Sequence, residues 1–320
     1  MPTVLAALAL LFVSMPSPAR AAGMREESLT VPISSGSLSG TLTLPAGEGP
    51  FPVALIIAGS GPTDRDGNSG AMLKSDAYKK LALALAGQGI ASLRYDKRGV
   101  GESADGQPES ELRFDDYVAD ALALTARLER DPRFHGIAII GHSEGSLIGM
   151  LAAQRDAHVQ AFVSLEGAGR NLATIIDEQV RANPDNPPSI VSEVARINAS
   201  LLAGKTVADP DPALAPLFRP SVQPYLISEY RYDPAKEIAK LTIPVLIVHG
   251  TTDIQVSAAD AQRLAGADPK ARLLTIEGMN HILVDAPQGR DANIATYMNP
   301  ALPLCATLVP AIAQFLRSAL

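Results

Sequence analysis

The chain has no tryptophan, one cysteine, and aromatic residues at only 4% of its 320 positions. So few aromatic faces argue against a sugar-stacking platform. The lone Cys305 cannot close an internal disulfide, and among its Leu and Ala neighbours it reads as a small core residue rather than a nucleophile. Basic residues are in deficit, 27 Lys and Arg against 34 Asp and Glu, for a formal charge of −7. No basic run occurs, which argues against nucleic acid or an anionic membrane surface as partner. No His and Cys cluster has metal-ligand spacing, so no metal and no cofactor is expected. The apolar run from Val4 to Val13 is too short to span a bilayer. It precedes Ala19-Arg20-Ala21, an A-x-A cleavage pattern, although its leading residues lack Lys and Arg. Residues 1–22 therefore read as a signal peptide, and the mature protein as periplasmic or secreted without a lipid anchor.

What is present suits a globular fold with a core: 47% of residues are hydrophobic and 19% charged. Ser28–Ile33 and Leu38–Leu44 alternate with period two around Ser35-Gly36, the pattern of an antiparallel hairpin. Continuous apolar runs follow at Val53–Ala58, Ile90–Tyr95, Ile137–Ile140, Val159–Leu165, Val245–Val248 and Arg272–Ile276. Strands buried on both faces read this way, and the helical stretches between them predict a mostly parallel sheet with crossover helices. The rhythm breaks between Gly169 and Ala239, where proline-rich turns punctuate amphipathic pieces. That span is too long for a plain loop and predicts a helical cap, residues 170–239, inserted into a core of residues 23–169 and 240–320.

Gly141-His142-Ser143-Glu144-Gly145 sits between an apolar strand and a helix start rich in small residues. Strand, sharp turn and helix with Gly-x-Ser-x-Gly at the turn form a nucleophile elbow, which makes Ser143 the candidate nucleophile. A serine hydroxyl needs a base, and the base needs a carboxylate to orient it. Of the five histidines, His142 is expected to point away within the elbow, and His135 and His158 precede strands at the opposite sheet edge. His249 ends a strand and reads as a packed residue, which leaves His281, after the last strand, as the base. Asp253, in the turn past Val245–Val248, is the expected acid, with Glu166 at the end of the strand after the elbow as its rival. Two backbone donors should form the oxyanion hole: the amide of Glu144, directly after the nucleophile, and that of Ser60, with Gly61 beside it. The Glu144 side chain and the Asp64-Arg65-Asp66 run line the pocket mouth, pair with each other, or are plain surface. Arg94–Ser103 lacks the Gly-Lys-Ser/Thr of a phosphate loop and reads as a support beside the elbow.

The loop GSGPTDRDGN, the segment LRYDKRGVGES, the elbow, Asp253 and His281 together resemble the α/β-hydrolase superfamily. The first two most resemble bacterial esterases grouped with dienelactone-hydrolase-like and serine-aminopeptidase-like hydrolases. One departure is Ala58, where a histidine often precedes the oxyanion-loop glycine. The resemblance covers about Ser28 to the end, apart from the cap. It implies an α/β-hydrolase fold and cofactor-free hydrolysis of small-molecule esters with short or aromatic acyl groups. An aminopeptidase or amidase with the same triad is the alternative, and it would need a cap carboxylate, Glu178 or Glu193, to hold a substrate amine. A thioesterase and a non-catalytic binding module complete the set.

Overall fold

Period-two alternation opens the fold. The computed structural model describes residues 23–320, so the expected signal peptide, residues 1–22, lies outside the described residues. Strands β1 (Arg25–Ile33) and β2 (Gly36–Leu44) pair antiparallel over their full lengths, with Ile33 opposite Gly36 at the turn. The apolar runs become β3 (Phe51–Ile57), β4 (Ala91–Tyr95), β5 (Phe134–His142), β6 (Val159–Leu165), β7 (Val245–Gly250) and β8 (Arg272–Ile276). The sheet order is β1-β2-β4-β3-β5-β6-β7-β8, and a two-residue strand, Ala104–Asp105, pairs with β2. From β4 to β8 every pairing is parallel, whereas β2 meets β4 antiparallel. Parallel neighbours require crossovers, and these place the carboxyl ends of β3, β5, β6, β7 and β8 along one sheet edge.

Alternate residues of each strand enter opposite cores. On one face Val53, Leu55 and Ile139 pack with α2 (Phe114–Glu129), α3 (Glu144–Arg155) and α9 (Ala258–Ala267). On the other, Ala54, Ile56 and Ile140 pack with α1 (Ala77–Gly87) and α11 (Leu308–Ala319). Both faces of the inner strands are thereby dry, as their unbroken hydrophobicity requires.

Five helices lie between β6 and β7: α4 (Leu172–Ala182), α5 (Pro188–Leu202), α6 (Ala215–Phe218), α7 (Gln223–Glu229) and α8 (Pro234–Ile238). Capping side chains start several of them. Asn171 accepts from the Ala173 N–H, and Asp233 from that of Ala235. Pro at the first turn recurs in α5, α6, α7 and α8, where its missing N–H costs nothing. A further short helix, α10 (Arg290–Ala295), follows β8. It is six residues long and carries no apolar periodicity to betray it.

Candidate active site

Ser143 joins β5 to α3 with φ 54° and ψ −121°, a conformation that side chains rarely adopt. The neighbouring glycines make the turn possible. A Cβ on Gly141 would lie 2.2 Å from the Gly145 carbonyl oxygen, and one on Gly145 would lie 2.3 Å from that of Ile57. Strand and helix therefore touch backbone to backbone, and the Ser143 N–H is tied to the Leu165 carbonyl at 2.9 Å.

Asp253 and His281 come together at the same sheet edge. His281 Nδ1 lies 2.7 Å from Asp253 Oδ2, and the Asp253 side chain is fully buried. The other carboxylate oxygen, Oδ1, accepts the N–H groups of Gln255 and Val256 at 2.7 and 3.0 Å. Burial alone would push this carboxyl up, but the charge and hydrogen bond of His281, with further donors, hold it down at about 2. Ser143 Oγ makes no hydrogen bond to His281 among the described residues. Catalytic contacts of unliganded sites commonly tighten only with substrate.

His142 departs from expectation. It does not point away from the site but wedges beneath it, with its ring centroid 4.9 Å from that of His281. Its Nε2 lies 2.7 Å from the His281 carbonyl oxygen, which can only accept, so Nε2 carries the proton. Nδ1 then accepts from the Tyr78 hydroxyl at 2.8 Å, and Tyr78 in turn accepts the Gly59 N–H at 3.1 Å. One directed chain of hydrogen bonds thus runs from the loop after β3 to the backbone of His281. The position x of Gly-x-Ser-x-Gly carries no sequence signal for this, because Tyr78 arrives from another helix.

Burial and the nearby His281 charge lower the His142 pKa from 6.5 to about 3. The unfolded chain accepts a proton that the folded site refuses. Stability from this residue is therefore complete above about 6.5 and falls as pH drops, by up to roughly 1.4 kcal/mol per unit. His249, also lowered by burial, acts with the same sign. We expect His142→Asn to flatten the loss of Tm between pH 7 and pH 5. Thermal melts of both proteins at the two pH values check it, and parallel slopes would refute it.

The loop after β3 is braced from below. Lys97, buried, donates to the Gly59 carbonyl at 3.1 Å and to Glu144 Oε2 at 2.9 Å, and lies 4.2 Å from the Tyr117 ring centre. Tyr225 of α7 donates to the second Glu144 oxygen at 2.8 Å. The Glu144 side chain is thus a tether between core and inserted helices, while its N–H, at the first position of α3, has no intrahelical acceptor. Ser60 is exposed, and its carbonyl accepts from Thr63 at 3.1 Å. The Asp64-Arg65-Asp66 run does not pair with Glu144, whose carboxylate is taken by Lys97 and Tyr225. Arg65 grips Asp96 at 2.6 Å and Glu102 at 2.8 Å, and Asp66 accepts from Arg94 at 3.0 Å. Arg94–Ser103 is the support that the sequence suggests.

Glu166 does not contact His281 Nδ1, which Asp253 occupies. It follows β6 with φ 49° and is wholly buried. Its Oε1 accepts the Gly250 N–H at 2.8 Å, and a carboxyl oxygen lies within 4.8 Å of one of Asp253. His249 Nδ1 stands 2.8 Å from Oε2, yet neither atom is aligned for a hydrogen bond. Glu166, His249 and Asp253 are the one group among the described residues whose ligand atoms, all within 4.8 Å, could in principle hold a metal ion. It provides three donors buried under the His281 contact, of which Asp253 is already spent. Glu178 and Glu193 each pair with an arginine, Arg170 at 2.5 Å and Arg196 at 2.6 Å, and Glu178 also lines a surface cleft with Asp177 and Arg181.

This geometry has relatives. The structure of the α/β-hydrolase GrgF from Penicillium sp. sh18 superimposes with a TM-score of 0.60 at 18% identity, over 92% of this chain and 98% of that one. The chain has the α/β-hydrolase fold. Est1E from Butyrivibrio proteoclasticus, solved with ferulic acid bound, matches this chain with a TM-score of 0.60 at 20% identity, over 91% and 98% of the two chains. The family described as serine aminopeptidase, S33, matches residues 68–204, which include the elbow but neither Asp253 nor His281. Esterase EstD of Thermotoga maritima is 28% identical over 264 residues, 81% of this chain but only 60% of EstD. A non-heme chloroperoxidase of Streptomyces lividans is 26% identical over 65% of this chain and 81% of its own. The chain thus spans less than two thirds of the length of EstD.

Proposed function

We propose that this α/β-hydrolase is a carboxylesterase-type serine hydrolase that cleaves small-molecule esters through an acyl-enzyme on Ser143. The observation that carries the reading is the buried Asp253–His281 hydrogen bond at the same sheet edge as the strained Ser143 elbow. In this mechanism Ser143 Oγ attacks the ester carbonyl carbon while His281 Nε2 takes its proton. The backbone N–H groups of Ser60 and Glu144 receive the oxyanion. Collapse expels the alcohol, which takes the proton from His281. Water then attacks the acyl-enzyme by the same path, releasing the carboxylic acid and restoring Ser143. Lys97 holds the two oxyanion donors in register through the Gly59 carbonyl and the Glu144 carboxylate. Residues 170–239 act as a cap, since Tyr225 of α7 reaches the residue next to the nucleophile.

The esterase name of EstD supports this choice over peptide hydrolysis. A panel of nitrophenyl esters of graded chain length, run beside aminoacyl-nitroanilides and with fluorophosphonate labelling, tests the proposal. We expect turnover of short or aromatic esters, none of the nitroanilides, and a covalent adduct at Ser143. Faster turnover of the nitroanilides, or no adduct on folded protein, would overturn it.

A further inference from the structure

We propose that Tyr78 and His142 are positioning residues that hold the oxyanion loop and the base in one fixed relation, Tyr78 at the loop end and His142 at the base end. Neither touches substrate; they act through Gly59 and through the backbone of His281. This rests on the esterase reading above.

At the loop end, the Ser60 N–H has no acceptor among the described residues, so its aim is set by the peptide that carries it. That peptide is trans, which turns the Gly59 carbonyl and the Ser60 N–H in opposite directions. Lys97 holds the carbonyl at 3.1 Å, and the Tyr78 hydroxyl takes the Gly59 N–H at 3.1 Å. Both peptides that meet at Gly59 are thereby fixed, at the residue type whose backbone is otherwise least restrained. The loop lies directly on the nucleophile: a Cβ on Gly59 would stand 3.0 Å from the Ser143 Cβ and 3.4 Å from His142 Nδ1.

At the base end, Asp253 orients the His281 imidazole through Nδ1, while His142 Nε2–H holds the His281 carbonyl at 2.7 Å. The direction of the chain is fixed throughout. A carbonyl only accepts, so His142 Nε2 donates and Nδ1 is left as an acceptor. Tyr78 must then donate to Nδ1 and take the Gly59 N–H on a lone pair. Burial pushes the Tyr78 pKa up to about 12, so the hydroxyl keeps the proton that it shares with the ring.

Two substitutions cut this chain on either side of the His142 ring. Tyr78→Phe removes one hydroxyl, releases the Gly59 N–H and leaves His142 bonded to His281. His142→Asn puts an amide oxygen where Nδ1 accepts from Tyr78, but is too short to reach the His281 carbonyl. An ester and its thionoester tell the two ends apart, because sulfur is a poor acceptor for the donors of an oxyanion hole. We expect Tyr78→Phe to lose at least about fivefold in kcat on the ester and clearly less on the thionoester, with KM little changed. We expect His142→Asn to lose at least about fivefold on both alike. A smaller loss in either folded variant, a Tyr78→Phe loss as large on the thionoester, or a His142→Asn loss confined to the ester would each overturn the proposal. Wild-type protein supplies a reading that needs no turnover. The ring nitrogen shifts of labelled His142 at pH 7 should show Nε2 protonated and Nδ1 unprotonated. The opposite tautomer, or an imidazolium, would overturn the chain even in an active esterase. The expected tautomer in a protein inert toward esters would instead sink the esterase reading and leave the hydrogen-bond chain standing.

Discussion

Ser143→Ala is expected to leave a folded protein whose kcat for a nitrophenyl ester has fallen by about 10⁵ to 10⁶. The two halves of this expectation have separate grounds. The fold survives because Ser143 contributes its backbone, not its side chain, to the elbow: the N–H bond to Leu165 and the glycine contacts remain when Oγ is removed. Turnover is lost because no second hydroxyl stands at the carboxyl end of β5; Ser146, one helical turn on, is buried and bonded to Ser164 at 2.7 Å. Circular dichroism with burst-phase kinetics on the same preparation measures both. Retention of more than about a tenth of wild-type kcat would rule out the serine mechanism.

Asp253→Asn should cost up to about 10⁴ in kcat with the fold intact. The hydrogen bonds dictate the sign. Oδ1 accepts two backbone N–H groups, so the amide oxygen of asparagine must take that place. Its NH₂ then replaces Oδ2 and donates to His281 Nδ1, which forces the imidazole proton onto Nε2. The base is left holding the proton that it should receive. Steady-state kinetics at pH 8 reads the loss, and the imidazole nitrogen shifts of His281 in labelled protein read the tautomer. Activity within about tenfold of wild type would remove Asp253 from the triad.

The parts of this molecule that were legible in the sequence share a physical cause: each is local. Period two in Ser28–Leu44, unbroken apolar runs in the inner strands and the glycines about Ser143 all express constraints between residues close in the chain. Chain order separated Asp253 from Glu166 because His281 follows the strand next to β7. What escaped is assembled from distant segments. Tyr78 and His142 are 64 residues apart and His142 and His281 are 139 apart, so no spacing could reveal their chain. The Asp64-Arg65-Asp66 run shows its charges plainly, yet its partners, Asp96, Glu102 and Arg94, become neighbours only when β3 and β4 pair. Residues 61–75 form a short hairpin, Asn68–Ser69 with Leu73–Lys74, too brief to carry a pattern.

The inserted helices share their apolar residues with the sheet: Ile176, Ile197, Phe218 and Leu226 belong to one continuous cluster with Leu55, Ile139 and Phe162. An insertion built this way is not an interchangeable cassette. Grafting a foreign cap between β6 and β7 would expose the apolar side of α2 and α3, and lifting this one away as a rigid flap would open the core itself. In the proposed esterase, selectivity would therefore be retuned one side chain at a time, at positions such as Tyr225 where the helices reach the elbow.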